Sequence, residues 1–462
     1  MFTANTYIDR RAQLRTSMKS GIILFPANHE ASSNYAANTY PFRQDSNFLY
    51  FFGLNEPNYV GVIDIESGRD WLFADDLTMD DIIWMGYLPS VKDIAALSGV
   101  ENTAPLSQLN EVIQKAIRQG RPIHYVNPYR SQVALQLMKL FDTTFEALKV
   151  GQSVDLIQAI VKQRSIKSHE EIIEIEKAGL VAHQMHTAAM RMCRPGIYEY
   201  QIAGAMEGIT LAHNGGVSFP IILSMNGQTL HNHDHSQMLK EGRLVVADAG
   251  AETAMNYCSD ITRTTPVGGK FNQRQKEIYE IVLKANMDSI ASLKPNIPYR
   301  DIHLQACTII GEGLKALGIM KGDISAAVQQ GAHAIFMPHG LGHMMGLDVH
   351  DMENMGENLF GYDQEIQRSE QFGLAYLRLG RRLQTGFVLT VEPGIYFIPA
   401  LIDMWKSQGK FTDFINYEKL ETYKDFGGIR IEDDVLITTE GAKVLGPHIP
   451  KGVQELEDFC AE

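Results

Sequence analysis

Residues 337–351 read MPHGLGHMMGLDVHD, and the conformation of this stretch decides what kind of domain surrounds it. His339 and His343 stand four apart, the spacing of a helical zinc-binding pair, but no glutamate follows the first histidine and two glycines separate the two. Glycine costs a helix interior about 1 kcal/mol per residue, so the segment reads as loop or strand edge rather than as a zincin helix. Its histidines then need ligand partners from other parts of the chain.

Working outward, four carboxylates stand at strand edges. Asp248 ends the apolar run 244–247 and precedes Ala249-Gly250; Asp260 opens DITRT. Glu392 follows VLTV and precedes Pro393-Gly394. Glu432 lies in residues 428–437 (GIRIEDDVLI), which reads as one alternating strand with Arg430, Glu432 and Asp434 on one face. Taken singly, a strand-end carboxylate is usually a solvated cap or turn former, and a lone histidine is as often packed as ligating. Together, four carboxylates and an imidazole flanked by β-branched residues and glycines are costly to bury without cations. A carboxylate-rich set with one histidine suits two hard or borderline divalent ions, such as Mn²⁺, with Co²⁺ or Zn²⁺ as alternatives. Two ions about 3.5–4 Å apart activate water at neutral pH and polarise a carbonyl, so the residue types point to metal-assisted hydrolysis. No GxxxxGK[ST] occurs, which leaves a phosphate-binding loop unsupported.

The rest of the chain sets the frame. At 462 residues it exceeds what one hydrophobic core usually supports, and 45% apolar with 21% charged residues is ordinary globular composition. A formal net charge of −14 argues against a nucleic-acid partner. No apolar run is long enough to span a membrane and the first dozen residues are charged, so a cytoplasmic protein is expected. Cys193, Cys258, Cys307 and Cys460 are scattered without a CxxC pair, which argues against a disulfide framework or a cysteine zinc site. Residues 1–159 read as an α/β domain with strands at 21–25 (GIILF), 47–52 (NFLYFF), 59–65, 71–73 and 123–126, and helices at 106–117 and 133–141. A catalytic domain, 160–462, follows; Ser168 and Glu171 form a capping box that starts a long helix, and a second helix runs from Glu199 towards Gly215-Gly216.

At VVADAGAE (245–252), SDITRT (259–264), MPHGLGHMMGLDVHD, LTVEPGIYF (389–397) and GIRIEDD (428–434) the sequence resembles the pita-bread metallopeptidases, which include methionine aminopeptidase, aminopeptidase P and prolidase. The resemblance implies a pita-bread catalytic domain of α+β class. It also implies that Asp260 and Glu432 bridge two ions, Asp248 chelates one, and His343 and Glu392 bind the other. FRQDSNFLYFFGLNEP (42–57) and IWMG (83–86) resemble the N-terminal domain of prolidases and aminopeptidases P. By the same resemblance His231, 17 residues before Asp248, is an active-site histidine, with His233 and His235 as neighbouring candidates. His350 would steady the scissile carbonyl, His339 and Arg430 would contact substrate, and Glu392 would double as proton shuttle. Asp248 and Asp260 stand 12 residues apart, one more than the family pattern, which a longer turn or bulge within 252–258 (ETAMNYC) could absorb.

Two members of that family differ at the far end of the substrate. In prolidases an arginine in an LRxxRxL segment takes the free carboxylate of a dipeptide, and LRLGRRLQTGFVLTVE places Arg378 at the matching position, 14 residues before Glu392. The insertion 397–428 also resembles prolidases. The expectation is an Xaa-Pro dipeptidase, with an Xaa-Pro aminopeptidase as the alternative. A binding module that has lost its ligands is disfavoured by five intact positions. The family further implies a homodimer, with Trp84 a candidate to reach the partner.

Overall fold

In the computed structural model, which describes residues 1–87 and 89–461, the chain divides into two units, Met1–Arg164 and Ser165–Glu462. The expected boundary at 159/160 falls inside the helix Val154–Arg164, so the division comes at the end of that helix.

The first unit is built on a five-stranded mixed sheet in the order Asn102–Ala104, Asp70–Phe73, Val60–Asp64, Ile22–Pro26, Ile123–His124. The strands Ile22–Pro26 and Val60–Asp64 pair antiparallel, with Leu24 opposite Val62. Helix Leu109–Arg118 presents Leu109, Ile113 and Ala116 at helical spacing to the core formed with Ile22, Leu24, Val60, Val62 and Phe73.

One expectation fails here. Residues 47–52 form part of a helix, Ser46–Phe52, and not a strand. The side chain of Asp45 accepts from Asn47 N at 2.9 Å and Phe48 N at 3.0 Å, and Gly53, at φ 70°, closes the far end. Phe48, Leu49, Tyr50, Phe51 and Phe52 are all buried. A run buried on every side carries no period, so the caps and not the hydrophobicity decide its conformation.

In the second unit Ser168 caps the helix His169–Met192: Glu171 N donates to Ser168 Oγ, and Ser168 N donates to Glu171 Oε2 at 2.9 Å. Helices Glu199–Ala212, Gln273–Ser292 and Tyr299–Ala316 accompany antiparallel strands. Leu244–Ala249 lies between Ile222–Ser224 and Ile261–Pro266, with Asp248 opposite Thr262 and Ala249 opposite Ile261. Between these partners the chain leaves the sheet. Ala251–Glu252 pairs with Gly216–Val217 and Asn256 turns the chain at φ 65°. Gly250 is required there, because a Cβ would stand 1.7 Å from the Ser259 carbonyl oxygen.

The stretch 428–437, expected as one strand, is two. Gly428–Arg430 pairs with Gly394–Tyr396, and Asp433–Ile437 pairs with Val388–Val391. The partner chain carries Pro393, which has no N–H to donate, so the ladder breaks at Glu392-Pro393 and opposite it at Ile431-Glu432. Ile431 N reaches the Pro393 carbonyl at 3.3 Å, and Glu432 N turns to Thr262 O at 3.1 Å. This break joins the strand pairs where Glu392 and Glu432 leave the ladder.

Candidate metal centre

The strand edges converge on a cavity of about 570 Å³. Asp248, Asp260, His343, Glu392 and Glu432 line it, and so do His231, His339, His350, Arg378 and Arg430. Of the two neighbouring histidines, His233 also lines the cavity, whereas His235 Nε2 bonds the Ile221 carbonyl at 3.0 Å.

Asp260, His343 and Glu432 bring ligand atoms within 4.8 Å of one another, all three buried. His343 Nε2 is 3.4 Å from Asp260 Oδ2 and 3.9 Å from Glu392 Oε1. Its Nδ1 donates to the Met344 carbonyl at 3.0 Å, which fixes the tautomer and leaves Nε2 with its lone pair towards the carboxylates. Burial first, and then His350, holds the His343 imidazole well below its usual range, so it is neutral. Asp434 accepts from Asp260 N at 2.9 Å, and Thr262 Oγ1 donates to Glu432 Oε2 at 2.7 Å.

Asp248 stands outside that group of three. Its Oδ2 accepts from Arg430 at 2.6 Å, while its Oδ1 is buried without a hydrogen-bond partner, as is Asp260 Oδ1. Arg430 is itself fully engaged: Nε donates to Thr262 Oγ1 at 3.1 Å and another nitrogen to Tyr396 Oη at 2.8 Å. Tyr396 Oη also meets His339 Nε2 at 2.9 Å, and His339 Nδ1 donates to the Gly340 carbonyl at 2.7 Å. Glu353 joins a second chain of contacts, with His350 Nδ1 at 2.6 Å and Arg378 Nε at 3.2 Å from its Oε2. Burial pushes Glu353 up, but the hydrogen bond from His350 and the Arg378 guanidinium bring it down to about 2 overall.

Neither Tyr396 nor Glu353 was singled out as a functional residue from the sequence. Tyr396 lies in a quoted motif, but its link to Arg430 spans 34 residues. Glu353 had no signal except its position three residues after His350.

The electrostatics call for cations. Asp260 and Glu432 are raised well above the usual carboxylate range, by burial and then by neighbouring carboxylates. Burial raises Glu392 to about 7, with Arg430 opposing and Asp248 adding to the rise. Buried carboxylate oxygens without partners, beside a neutral imidazole nitrogen, are the donor set of hard or borderline divalent ions, and the residues fit such ions.

A pH dependence follows. Folding of chelated protein should become weaker as pH rises from 4.5 towards about 7, because folded Glu392 keeps a proton that the unfolded chain has released. Divalent metal should oppose this slope, since its ligands must be deprotonated. Thermal melts across this window, with and without chelator, test it; parallel curves would count against a cation-binding cluster.

Residues 174–439 match the metallopeptidase family M24, and residues 7–124 match the aminopeptidase P N-terminal domain. The chain belongs to metallopeptidase family M24, a family that implies divalent metal ions, and it is an enzyme of that class. Among its relatives, the Xaa-Pro dipeptidase of Homo sapiens is 31% identical over 467 residues, covering 98% of this chain and 91% of that protein. The Xaa-Pro aminopeptidase of Escherichia coli K12 is 32% identical over 469 residues, covering 97% and 96%. The solved structure of zinc-substituted Escherichia coli aminopeptidase P in complex with product matches with a TM-score of 0.81 at 30% identity, over 100% of this chain and 98% of that one.

Proposed function

We propose that this enzyme hydrolyses peptide bonds preceding proline, and that its substrates are Xaa-Pro dipeptides. The observation that carries the choice is Arg378, which lines the same cavity as the five candidate ligands. Its pairing with Glu353 uses Nε and leaves two terminal nitrogens for the carboxylate of a dipeptide.

In this reading Asp248, Asp260, His343, Glu392 and Glu432 would hold two divalent ions, Mn²⁺ first among them, with Asp260 and Glu432 shared between the two. When bound, such ions activate water and polarise the scissile carbonyl. The chain's own groups do the rest. Glu392, at the edge of the cluster, would take and return the proton. His350, oriented by Glu353, donates to the carbonyl oxygen as charge develops. Arg430 positions Asp248 and Tyr396, and through Tyr396 the ring of His339. His231 also lines the cavity near the substrate, and Phe219, Phe372 and Tyr376 supply apolar wall suited to a proline ring.

The test is turnover of Gly-Pro beside Gly-Pro-Pro with Mn²⁺ supplied. Faster cleavage of Gly-Pro is expected. Faster cleavage of Gly-Pro-Pro would establish the aminopeptidase reading.

A homodimer is part of the proposal. Trp84 is 85% exposed, and Met79, Ile83 and Met85 on the same short helix, Met79–Met85, are exposed with it. An apolar face of this kind is suited to burial against another subunit. Light scattering should give twice the chain mass of 51.7 kDa; a monomer mass refutes the dimer. Among the described residues no helix is long and apolar enough to cross a membrane. All four cysteines are free, which supports a cytoplasmic location.

A further inference from the structure

Apart from the carboxylate cluster, the helix Tyr299–Ala316 buries His303 and Cys307 one turn apart on the same face. The short helical turn Ala332–Ile335 brings His333 to them, so that one ligand atom from each residue lies within 4.8 Å of the others. His303 and Cys307 are 0% exposed and His333 is 1% exposed. Their polar atoms outnumber their protein partners. His303 Nδ1 is buried without a hydrogen bond, the His333 ring has no polar partner of good geometry beyond the nearby Val328 carbonyl, and Cys307 Sγ faces His303 Nε2 at 3.5 Å. Under-partnered buried nitrogens are rare in folded proteins because each forfeits its hydration, and a cluster of them beside a thiol wants an explanation.

We propose that His303, Cys307 and His333 form a second metal site, chemically distinct from the carboxylate cluster, which takes one Zn²⁺ ion per chain. The dimensions agree. Zinc–sulfur bonds of about 2.3 Å and zinc–nitrogen bonds of about 2.0–2.1 Å set a tetrahedral S···N edge of roughly 3.6 Å. Cys307 Sγ and His303 Nε2 already stand 3.5 Å apart, and a ligand atom of His333 lies within 4.8 Å of both residues' ligand atoms. One thiolate and two imidazoles are softer than the carboxylate set, so the two sites sort metals by ligand chemistry.

Both imidazoles are neutral, as ligands must be. Burial pushes His303 down to about 3, and His333 down to about 4 with the Val328 carbonyl opposing. Burial raises the Cys307 thiol, so it enters the site protonated. Binding would break the S–H bond, form an S–Zn bond and release the proton, while the ion would exchange hydration waters for three protein ligands. The lack of a CxxC pair does not weigh against such a site, because a single cysteine suffices with two histidines. His333 lies six residues before His339, so the ion would tie the helix Tyr299–Ala316 to the segment that lines the cavity.

The test is cobalt substitution during expression, so that the ion is present while the chain folds. A thiolate–Co²⁺ pair gives a near-ultraviolet charge-transfer band that a site of carboxylates and imidazole cannot give. The parent should show this band and, when expressed with zinc in place of cobalt, retain one more zinc per chain than Cys307→Ser. The band should vanish in Cys307→Ser and in His303→Asn and persist in Cys460→Ser. Should either of the first two variants fail to fold, the other carries the comparison. A parent without the band, or a band of equal strength in Cys307→Ser, overturns the proposal.

Discussion

Asp260→Asn should lower kcat/KM on Gly-Pro by at least about a thousandfold, which corresponds to about 4 kcal/mol of lost transition-state stabilisation from impaired metal catalysis. Asp260 lies 3.4 Å from His343, its backbone is held by Asp434, and one of its oxygens has no protein partner. An amide there offers a single neutral oxygen where two ions need shared negative charge. Metal content should fall for both ions together, which elemental analysis reads directly. Stability should move the opposite way in the chelated protein. Burial first, and then Glu432, Asp248, Asp434 and Glu392, raise the Asp260 carboxyl, so the chelated parent must bind a proton to bury it where an amide needs none. Chelated Asp260→Asn should therefore melt above the chelated parent and gain less from added metal. A variant that keeps both ions and its activity would refute the bridging role.

Arg378→Ala should cost roughly thirtyfold to over a hundredfold in kcat/KM on Gly-Pro, the equivalent of about 2–3 kcal/mol for a charge-assisted pair. Metal content should be unchanged, because Arg378 holds Glu353 and not a candidate ligand. Selectivity should relax as well. The guanidinium both attracts a dipeptide carboxylate and disfavours a continuing chain, so its loss should narrow the gap between Gly-Pro and Gly-Pro-Pro. Glu353 also orients His350, and its release could add a fall in kcat. Arg378→Lys separates the effects: charge returns without the planar fork, so partial recovery on Gly-Pro is expected. If Arg378→Ala changes both substrates by the same factor, the residue does not read the carboxyl end.

The candidate ligands were legible because a metal cluster constrains residue type as well as position. Asp248, Asp260, Glu392 and Glu432 are carboxylates in or beside strands rich in β-branched residues, an arrangement that ordinary strand packing does not favour. The contacts that orient them were not legible in the same way. Arg430 reaches Asp248 across 182 residues and Thr262 reaches Glu432 across 170. Only the fold brings those atoms together, and nothing local distinguishes Thr262 from any other strand threonine. The same limit hid His303, Cys307 and His333, whose proximity depends on a helix meeting a turn some thirty residues along the chain. Residues 47–52 failed for a different reason: uniform burial erased the period, and the information lay in Asp45 and Gly53 at the ends. The break at Glu392-Pro393 was written in the proline, and its effect on the opposite strand appears only once the pairing is known.

The bridge between Thr262 and Glu432 joins the first and last segments of the candidate ligand set. The candidate ligands begin at Asp248 and end at Glu432, so a nascent chain still inside the ribosome beyond residue 428 lacks a complete set. Closing so long a loop is entropically slow and yields nothing until both ends are ordered. Completion of the carboxylate cluster is thus a late folding event, and a cation cannot nucleate this unit as it does a zinc finger. A fragment ending before Gly428 lacks Glu432 and should hold no metal at the carboxylate cluster, which makes bound metal there a reporter of long-range closure between the segments around Thr262 and Glu432.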